Sequence, residues 1–377
     1  PPRSAAPARA RRGGRRTRVL MTIDAVGGVW RYAVDLADAL AARGVDVVFA
    51  GVGPRPSPVQ AAEASRIARL RWIDGPADWM VDDEADLGGL AARLDRLADE
   101  EDVDLLHVNG PTQAAGLSPA RPVLVVAHSC VPTWWRAVLG EPLPPARRWQ
   151  HRLNAEGIAR ADILVAPSAS HAELMESCYG PLPGLRIVAN GVRSIPSGDG
   201  KEDFVFAAAR WWDAGKGAGG LQAAAAVSPW PIRAAGATVS PGGDRFEFRD
   251  VEALGSLSHG DILHLAQRAG VAVSPSLYEP FGLFALECAR SRTPLVLADI
   301  ATYRELWSGA ALFFAPGDGD DLAARLSELA ADPELREEMA GRALARSHEY
   351  TLDLQATAMA ELYGALARRR AGAAAAG

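Results

Sequence analysis

This 377-residue sequence has only three cysteines and no long apolar run, and each shortage excludes certain classes of protein. Cys130, Cys178 and Cys288 lie far apart, without the spacing of a metal site or of a disulfide framework, which favours a reducing compartment. No apolar segment is long enough to span a bilayer, and the N-terminal residues lack the apolar core of a signal peptide. We therefore expect a globular protein of the cytoplasm.

Acidic residues outnumber basic ones outside the N-terminal segment. Residues 1–18 carry seven arginines and no acid, so the rest of the chain is more acidic than the net charge of −6 suggests. An acidic body argues against nucleic acid as a partner. Residues 1–17 are predicted to be a disordered leader, which could hold the protein at the inner face of an anionic membrane or could simply be solvated.

Apolar runs alternate with helical segments twice along the chain, which predicts an α/β protein with two parallel sheets covered on both faces. Strands are expected at Arg18–Asp24, Val45–Val52, Asp104–Asn109, Pro122–Ser129, Asp162–Ser168 and Leu185–Asn190, and helices at Asp86–Asp99, Pro145–Arg160 and Ser168–Tyr179. After a Pro-, Gly- and Ser-rich linker at 194–203, strands are expected at Phe204–Ala209, Ile232–Gly236, Val251–Gly255, Val271–Ser274, Pro294–Ala298 and Ala311–Ala315. The predicted domains are therefore 18–193 and 204–350, followed by a last helix over 351–370.

The stretch from Ser274 to Glu287 passes from a buried strand into a helix that we predict over Phe281–Arg290. Pro280 suits the first turn of that helix, where no backbone N–H is needed. Glu279 is then at a strand-to-helix corner, where free N–H groups and the positive helix end can bind a diphosphate or sugar hydroxyls. The alternative is an ordinary helix N-terminus with a surface glutamate further along.

Three other features suit a ligand that carries phosphate. Gly27 and Gly28 separate the first strand from the first helix, so backbone can approach a ligand there, although a tight turn explains them equally well. Arg210 and Lys216 straddle a glycine turn and could clamp a diphosphate, or could belong to a solvated loop. His128 ends an apolar strand, where α/β sheets bind ligands, but a lone histidine there is often structural.

Together these motifs resemble retaining glycosyltransferases of the GT-B fold, family 4. The resemblance rests on the Glu-x7-Glu signature of Glu279 and Glu287 with its interior Pro-Phe-Gly-Leu, on the Arg–Lys loop and on the Asn190-Gly-Val turn. Three positions depart from the family, which commonly has Asp where this chain has Ser129, an acid where it has Arg193, and Gly where it has Ala209 before the Arg–Lys loop. The resemblance implies two Rossmann-like, doubly wound parallel-sheet domains facing a central cleft, with the final helix crossing back onto the first domain.

The family also implies a chemistry. A nucleotide-sugar, most often UDP- or GDP-linked, would bind mainly to the C-terminal domain, and a small-molecule, glycan or lipid-linked acceptor to the N-terminal domain. The implied catalytic residues are Glu279, His128, Arg210 and Lys216, and the implied donor-binding residues are Gly27, Gly28, Asn190, Arg210, Lys216, Glu279, Pro280, Phe281, Gly282, Leu283 and Glu287. We expect no cofactor and no metal, because the cations and the loop amides can offset the charge of the leaving diphosphate. A front-face retaining mechanism follows from the resemblance.

Several alternatives stay open at this point. Trp134 and Trp135, expected in an exposed loop, could stack on an acceptor or could pack a helix onto the sheet. The chain could also be a nucleotide-sugar epimerase or another non-transferring enzyme on the same fold, or an inactive donor-binding protein. A dehydrogenase is disfavoured because the Gly-x-Gly-x-x-Gly fingerprint is missing. Residues 54–83 match no pattern that we can interpret.

Overall fold

The computed structural model describes residues 16–196, 198 and 200–376, with side chains as far as residue 368. Residues 1–15 of the predicted leader therefore lie outside the described residues. The strands are β1 (Thr17–Asp24), β2 (Val45–Val52), β3 (Arg69–Trp72), β4 (Leu105–Val108), β5 (Val123–Val126), β6 (Ile163–Ala166), β7 (Arg186–Ile187), β8 (Glu202–Ala208), β9 (Ile232–Ala235), β10 (Glu252–Gly255), β11 (Ala269–Ser274), β12 (Leu295–Ala298) and β13 (Leu312–Phe314).

The helices lie between and after these strands. They are α1 (Gly28–Ala41), α2 (Pro58–Ile67), α3 (Leu90–Glu100), α4 (Val131–Val138), α5 (Arg148–Arg160), α6 (Ala169–Tyr179), α7 (Ala218–Ala225), α8 (His259–Arg268), α9 (Leu283–Arg290), α10 (Ala301–Trp307), α11 (Gly319–Ala331), α12 (Pro333–Ser347) and α13 (Leu352–Ala376). Among the described helices, none combines the length and the apolar character that crossing a bilayer requires.

The strands form two sheets in which every strand pair is parallel, as the sequence predicted. The first sheet has the order β3-β2-β1-β4-β5-β6-β7 and the second the order β10-β9-β8-β11-β12-β13. The strand order reverses beside β1 in the first sheet and beside β8 in the second. Ligands of doubly wound sheets bind outside the carboxyl ends of the strands at such a reversal. The loops after β1 and β4, and those after β8 and β11, therefore have the positions in which a site is expected.

The last helix crosses back onto the N-terminal domain, as predicted. Met359 and Tyr363 of α13 are fully buried in the core of the first sheet, together with residues of α1. A β-bridge between Val192 and Thr351 joins the two points at which the chain passes between the domains. The helix runs to Ala376, beyond the predicted end at residue 370.

Residues 54–83, which no sequence pattern explained, contain α2 and β3. Helix α2 begins with a capping box in which Ser57 and Gln60 bond each other's backbone N–H groups. Only Ala64 of this helix is buried, so the helix has no apolar face that periodicity could have shown. The second sheet also begins earlier than predicted, since β8 starts at Glu202 inside the segment expected to be a linker.

Candidate active site

The loop after β8 holds the two predicted phosphate-binding cations. One carboxylate oxygen of Asp213 accepts a hydrogen bond from the Gly215 N–H at 2.9 Å, and the other accepts one from the Arg210 guanidinium at 3.2 Å. Asp213 is 9% exposed and caps the short 3-10 turn Ala214–Lys216, so it fixes the shape of the loop. Sequence reasoning missed this residue, although an Asp at such an N-cap position is a recognisable signal.

Helix α4 of the other domain supports the same loop. The indole N–H of Trp134 donates to Asp213 at 2.9 Å, and the Trp135 ring meets the Trp134 ring edge-on at 6.3 Å. Both tryptophans lie in a helix, as the second alternative supposed, and not in an exposed loop. Helix α4 begins at Val131, with Pro132 in its first turn. The proposed acceptor contact of this pair stays a prediction, and the structure shows Trp134 fixing the cationic loop.

The strand-to-helix corner after β11 contains Glu279. Its carboxylate accepts a hydrogen bond from the Lys216 ammonium at 2.7 Å, and both side chains are mostly buried. The predicted Arg–Lys loop and the predicted glutamate corner are therefore in direct contact. Their approach follows from the pairing of β8 with β11, which brings the two carboxyl ends side by side.

The helix after this corner begins two residues later than predicted. Gly282 precedes α9 with a φ of 92°, and Leu283 is the first helical residue. A Cβ atom at position 282 would lie 2.8 Å from a ring carbon of Tyr303, so the chain turns here through a left-handed glycine. Pro280 is thus not in the first turn, and the Phe281 ring is buried against Tyr350 rather than in the cleft.

Both neighbours of Glu279 are bonded to the N-terminal domain. The Tyr278 hydroxyl donates to Ser129 at 3.0 Å and lies 2.9 Å from the Thr133 hydroxyl. The Ser168 hydroxyl donates to the carbonyl of Pro280 at 2.7 Å. These bonds join the two domains across the cleft at the residues immediately before and after Glu279.

A carboxylate of the C-terminal domain also caps an N-domain helix. Glu305 of α10 accepts hydrogen bonds from the backbone N–H groups of Ala169 and Ser170, at 2.9 and 2.7 Å. These groups are the free N–H donors at the start of α6, where a negative charge is favourable. This contact is a further bond between the two domains.

The glycine loop after β1 faces these elements from the N-terminal domain. A Cβ atom at Gly27 would lie 3.0 Å from the Arg210 guanidinium, and one at Gly28 would lie 3.9 Å from the Leu283 side chain. Any side chain at position 27 would displace Arg210. The structure thus brings together the glycine loop, the Arg–Lys loop and the corner, which the sequence placed in separate parts of the chain.

His128 is held as a neutral donor at the end of β5. Its Nε2 and the Nε2 of His107 each lie 3.0 Å from the side-chain oxygen of Asn109, which can only accept, so both rings donate from Nε2. Burial lowers the pKa of His128 to about 3 and that of His107 to about 3. His128 therefore stays uncharged at neutral pH and keeps the Nδ1 lone pair as an acceptor.

Glu287 and Asn190 are both buried, in different surroundings. Glu287 accepts a hydrogen bond from His259 Nε2 at 2.8 Å, and Nδ1 of that ring lies 3.4 Å from Arg31 of α1. His259, which sequence reasoning missed, therefore links the second glutamate to the N-terminal domain. Asn190 lies 3.5 Å from the Gln355 amide of α13, at the passage between the domains, and its contact with a donor stays a prediction.

Two family models match the chain. The model "Glycosyltransferase Family 4" matches residues 26–194, and "Glycosyl transferases group 1" matches residues 249–346. A glycogen synthase of Mycobacterium tuberculosis H37Rv is 38% identical over 118 residues, which are 30% of this chain and 28% of that protein. The O-antigen chain mannosyltransferase B of Escherichia coli is 31% identical over 98 residues, 26% of each chain. These matches span less than a third of the relatives' length.

The fold similarity extends over nearly the whole chain. Sucrose-phosphate synthase from Thermosynechococcus elongatus superposes with a TM-score of 0.74 at 17% identity, covering 95% of this chain and 100% of that one. Anabaena HepE, solved with UDP-glucose, superposes with a TM-score of 0.73 at 17% identity, covering 93% and 100%. The two family models, the two parallel sheets and these neighbours lead to one conclusion: the chain belongs to the glycosyltransferases of the GT-B fold, family 4.

Proposed function

We propose that this chain is a retaining glycosyltransferase that moves a sugar from a nucleoside diphosphate to an acceptor hydroxyl without a metal ion. The observation that carries the proposal is the contact of Lys216 with Glu279 beside Arg210, at the strand-order reversal of the C-terminal domain. Cations for a diphosphate and a carboxylate for a sugar lie side by side there.

The cations keep donors for phosphate oxygens. The Lys216 ammonium has three N–H donors and uses one on Glu279, and the Arg210 guanidinium has five and uses one on Asp213. Negative charge grows on the diphosphate as the glycosidic bond breaks, and fixed donors placed there lower the barrier. These two side chains supply the charge that a metal would otherwise bring.

The carboxylate and the neutral histidine suit the sugar. Glu279 can accept hydrogen bonds from sugar hydroxyls and stabilise the positive charge that develops on the ring, and His128 Nδ1 can accept from a further hydroxyl. The leaving phosphate would take the proton of the attacking hydroxyl on the same face, which retains the anomeric configuration. A uridine donor is supported by a protein of similar fold, since Anabaena HepE was solved with UDP-glucose and with UDP.

The test is turnover in excess EDTA with UDP-, GDP-, ADP- and TDP-sugars, with the product's anomeric configuration read by NMR. We expect undiminished turnover with one donor and a retained configuration. Activity that EDTA abolishes and Mg²⁺ or Mn²⁺ restores would contradict the metal-free mechanism, and an inverted product would contradict retention. Conversion of the donor to another nucleotide-sugar without any acceptor would identify the epimerase alternative.

A further inference from the structure

A cavity of about 180 Å³ opens in the N-terminal domain between the end of β2 and two short 3-10 turns, Asp78–Met80 and Pro111–Ala114. Its polar lining includes Asp78, Thr112 and Gln113, and the rest is largely apolar or glycine. None of these residues belongs to the predicted donor site. The cavity combines a few polar groups with apolar walls, as sites for small ligands do.

Hydrogen bonds connect the wall of this cavity to the donor site. The Gln113 side-chain oxygen accepts from the Thr22 hydroxyl at 2.6 Å, and that hydroxyl accepts from the Asn109 N–H at 2.8 Å. The Asn109 side chain in turn accepts from His128. A molecule in the cavity would therefore contact the same network as His128, the histidine proposed to bind the sugar.

A stacked aromatic pair connects the cavity wall to the loop that holds Arg210 and Lys216. Trp79, next to Asp78, stacks on Trp212 of the C-terminal domain with ring centroids 6.1 Å apart and planes at 20°. The Arg210 guanidinium lies 5.4 Å from the Trp212 ring. The turn that forms the cavity wall thus touches the loop proposed to hold the diphosphate.

The charge of the cavity is of one sign. Among the described residues that line it, Asp78 and Glu84 are the charged ones, and Glu84 is paired with Arg152. Asp78 is bonded to Thr112, and burial raises the pKa of its carboxyl to about 6, with Asp24 contributing. A carboxylate in such a position accepts hydrogen bonds from hydroxyls and repels phosphates and other carboxylates.

We propose that this cavity binds the acceptor, and that the acceptor end is an uncharged, hydroxyl-rich sugar rather than a phosphorylated or acidic one. The inference rests on the proposed function. Asp78 accepts hydrogen bonds from the acceptor's hydroxyls, and Leu87 and Leu90 of the cavity wall lie against the acceptor's apolar face.

Two variants test the role of Asp78. Asp78→Asn should raise the acceptor KM about 10-fold, because a hydrogen bond to a charged group contributes more than one to an amide. The donor KM and the slow hydrolysis of donor by water should not change. The matched control is Asp82→Asn, since Asp82 is 93% exposed and pairs with Arg147 outside the cavity. An unchanged acceptor KM in Asp78→Asn, or an equal rise in Asp82→Asn, would overturn the proposal.

A stability measurement separates this role from a structural one. The folded-state pKa of Asp78 lies above its unfolded value, so its stabilising contribution holds at low pH and is lost as pH rises through about 6. Asp24 and Tyr179 interact electrostatically with this carboxyl, and Glu84 shares the cavity lining with it. At pH 8, Asp78→Asn should therefore raise the Tm while it weakens acceptor use. A lower Tm at pH 8 would indicate that Asp78 only supports the fold.

The acceptor class is tested with glucose and maltose against glucose 6-phosphate and glucuronate, by acceptor-dependent release of the nucleotide. We expect at least a 10-fold higher kcat/KM for the neutral sugars. Faster transfer to the anionic sugars would overturn the inference alone, and so would donor hydrolysis that no neutral sugar accelerates. Absence of both donor binding and donor hydrolysis would instead refute the proposed function.

Discussion

The two faces of the cleft differ in the charged groups that they carry. The C-domain face carries the cations Arg210 and Lys216, each paired with a carboxylate, whereas the N-domain face carries Asp24, Asp78 and the uncharged His128. Each face matches one of the two substrates that a sugar transfer needs, an anionic diphosphate and a neutral hydroxyl. This difference shows that the charged groups of the two domains can separate donor binding from acceptor binding, independently of the detailed shape of each substrate.

The same two faces also depend on each other. Tyr278 of the cationic side is bonded to Ser129 and Thr133, and Trp134 of the other side is bonded to Asp213. Closure of the cleft therefore completes the site, because each domain holds a residue that fixes a loop of the other. Substitutions can remove the charged groups of either face, or the hydrogen bonds that join the two domains.

The largest effect is expected from removing the cations. Lys216→Ala and Arg210→Ala should each lower kcat by about 10²- to 10³-fold, the scale for losing one donor to a developing negative charge. Steady-state kinetics on variants checked by circular dichroism measure this. Arg245→Ala is the control, since that cation of the same domain is 65% exposed and faces solvent. Wild-type kinetics in both cleft variants would show that the loop has no catalytic part.

The two glutamates should differ in kind. Glu279→Gln is expected to lower mainly kcat, because contacts of Glu279 with the sugar strengthen as the bond breaks. Glu287 lies further along the corner helix and is bonded to His259. It should bind a part of the donor that does not change during the reaction, so Glu287→Gln should raise mainly the donor KM. The reverse pattern would mean that the two carboxylates have been assigned to the wrong parts of the donor.

A smaller effect should follow from loosening the closed cleft. Tyr278→Phe keeps the ring but removes two hydrogen bonds, each worth about 0.5–1.5 kcal/mol, so kcat should fall about 10-fold. The nucleotide Kd should change little, since Arg210 and Lys216 are untouched. Tyr179→Phe is the control, because its hydroxyl faces Cys130 within one domain. An equal fall in kcat for both variants would show that the Tyr278 hydroxyl has no particular role in joining the domains.

Much of the fold could be predicted because strands are local patterns. The bounds of β2 were predicted correctly at Val45–Val52, and the last helix was predicted to cross back, as Tyr363 does in the N-domain core. Helix α2 could not be predicted, because its stability comes from caps and not from an apolar stripe. The start of α9 was misplaced because the left-handed turn at Gly282 packs against Tyr303, which is 21 residues away in the sequence.

The candidate site was predicted where single motifs carry it and missed where tertiary contacts do. Glu279, Arg210 and Lys216 stand in motifs, and the structure places Lys216 on Glu279 with Arg210 in the same loop, while their roles stay predictions. Asp78 lies in a stretch without any pattern, and its importance comes from burial among residues of other elements. A single sequence does not record which side chains a fold will enclose.

The measurement that tests the division of charge most directly is calorimetric titration of UDP, in EDTA, into the wild-type protein, Lys216→Ala and Asp78→Asn. If the diphosphate binds only to the cationic face, Lys216→Ala should weaken the UDP Kd at least 10-fold, about 1.4 kcal/mol, while Asp78→Asn should leave it within about two-fold. A UDP Kd that Lys216→Ala does not change, or that Asp78→Asn weakens as much, would contradict the account.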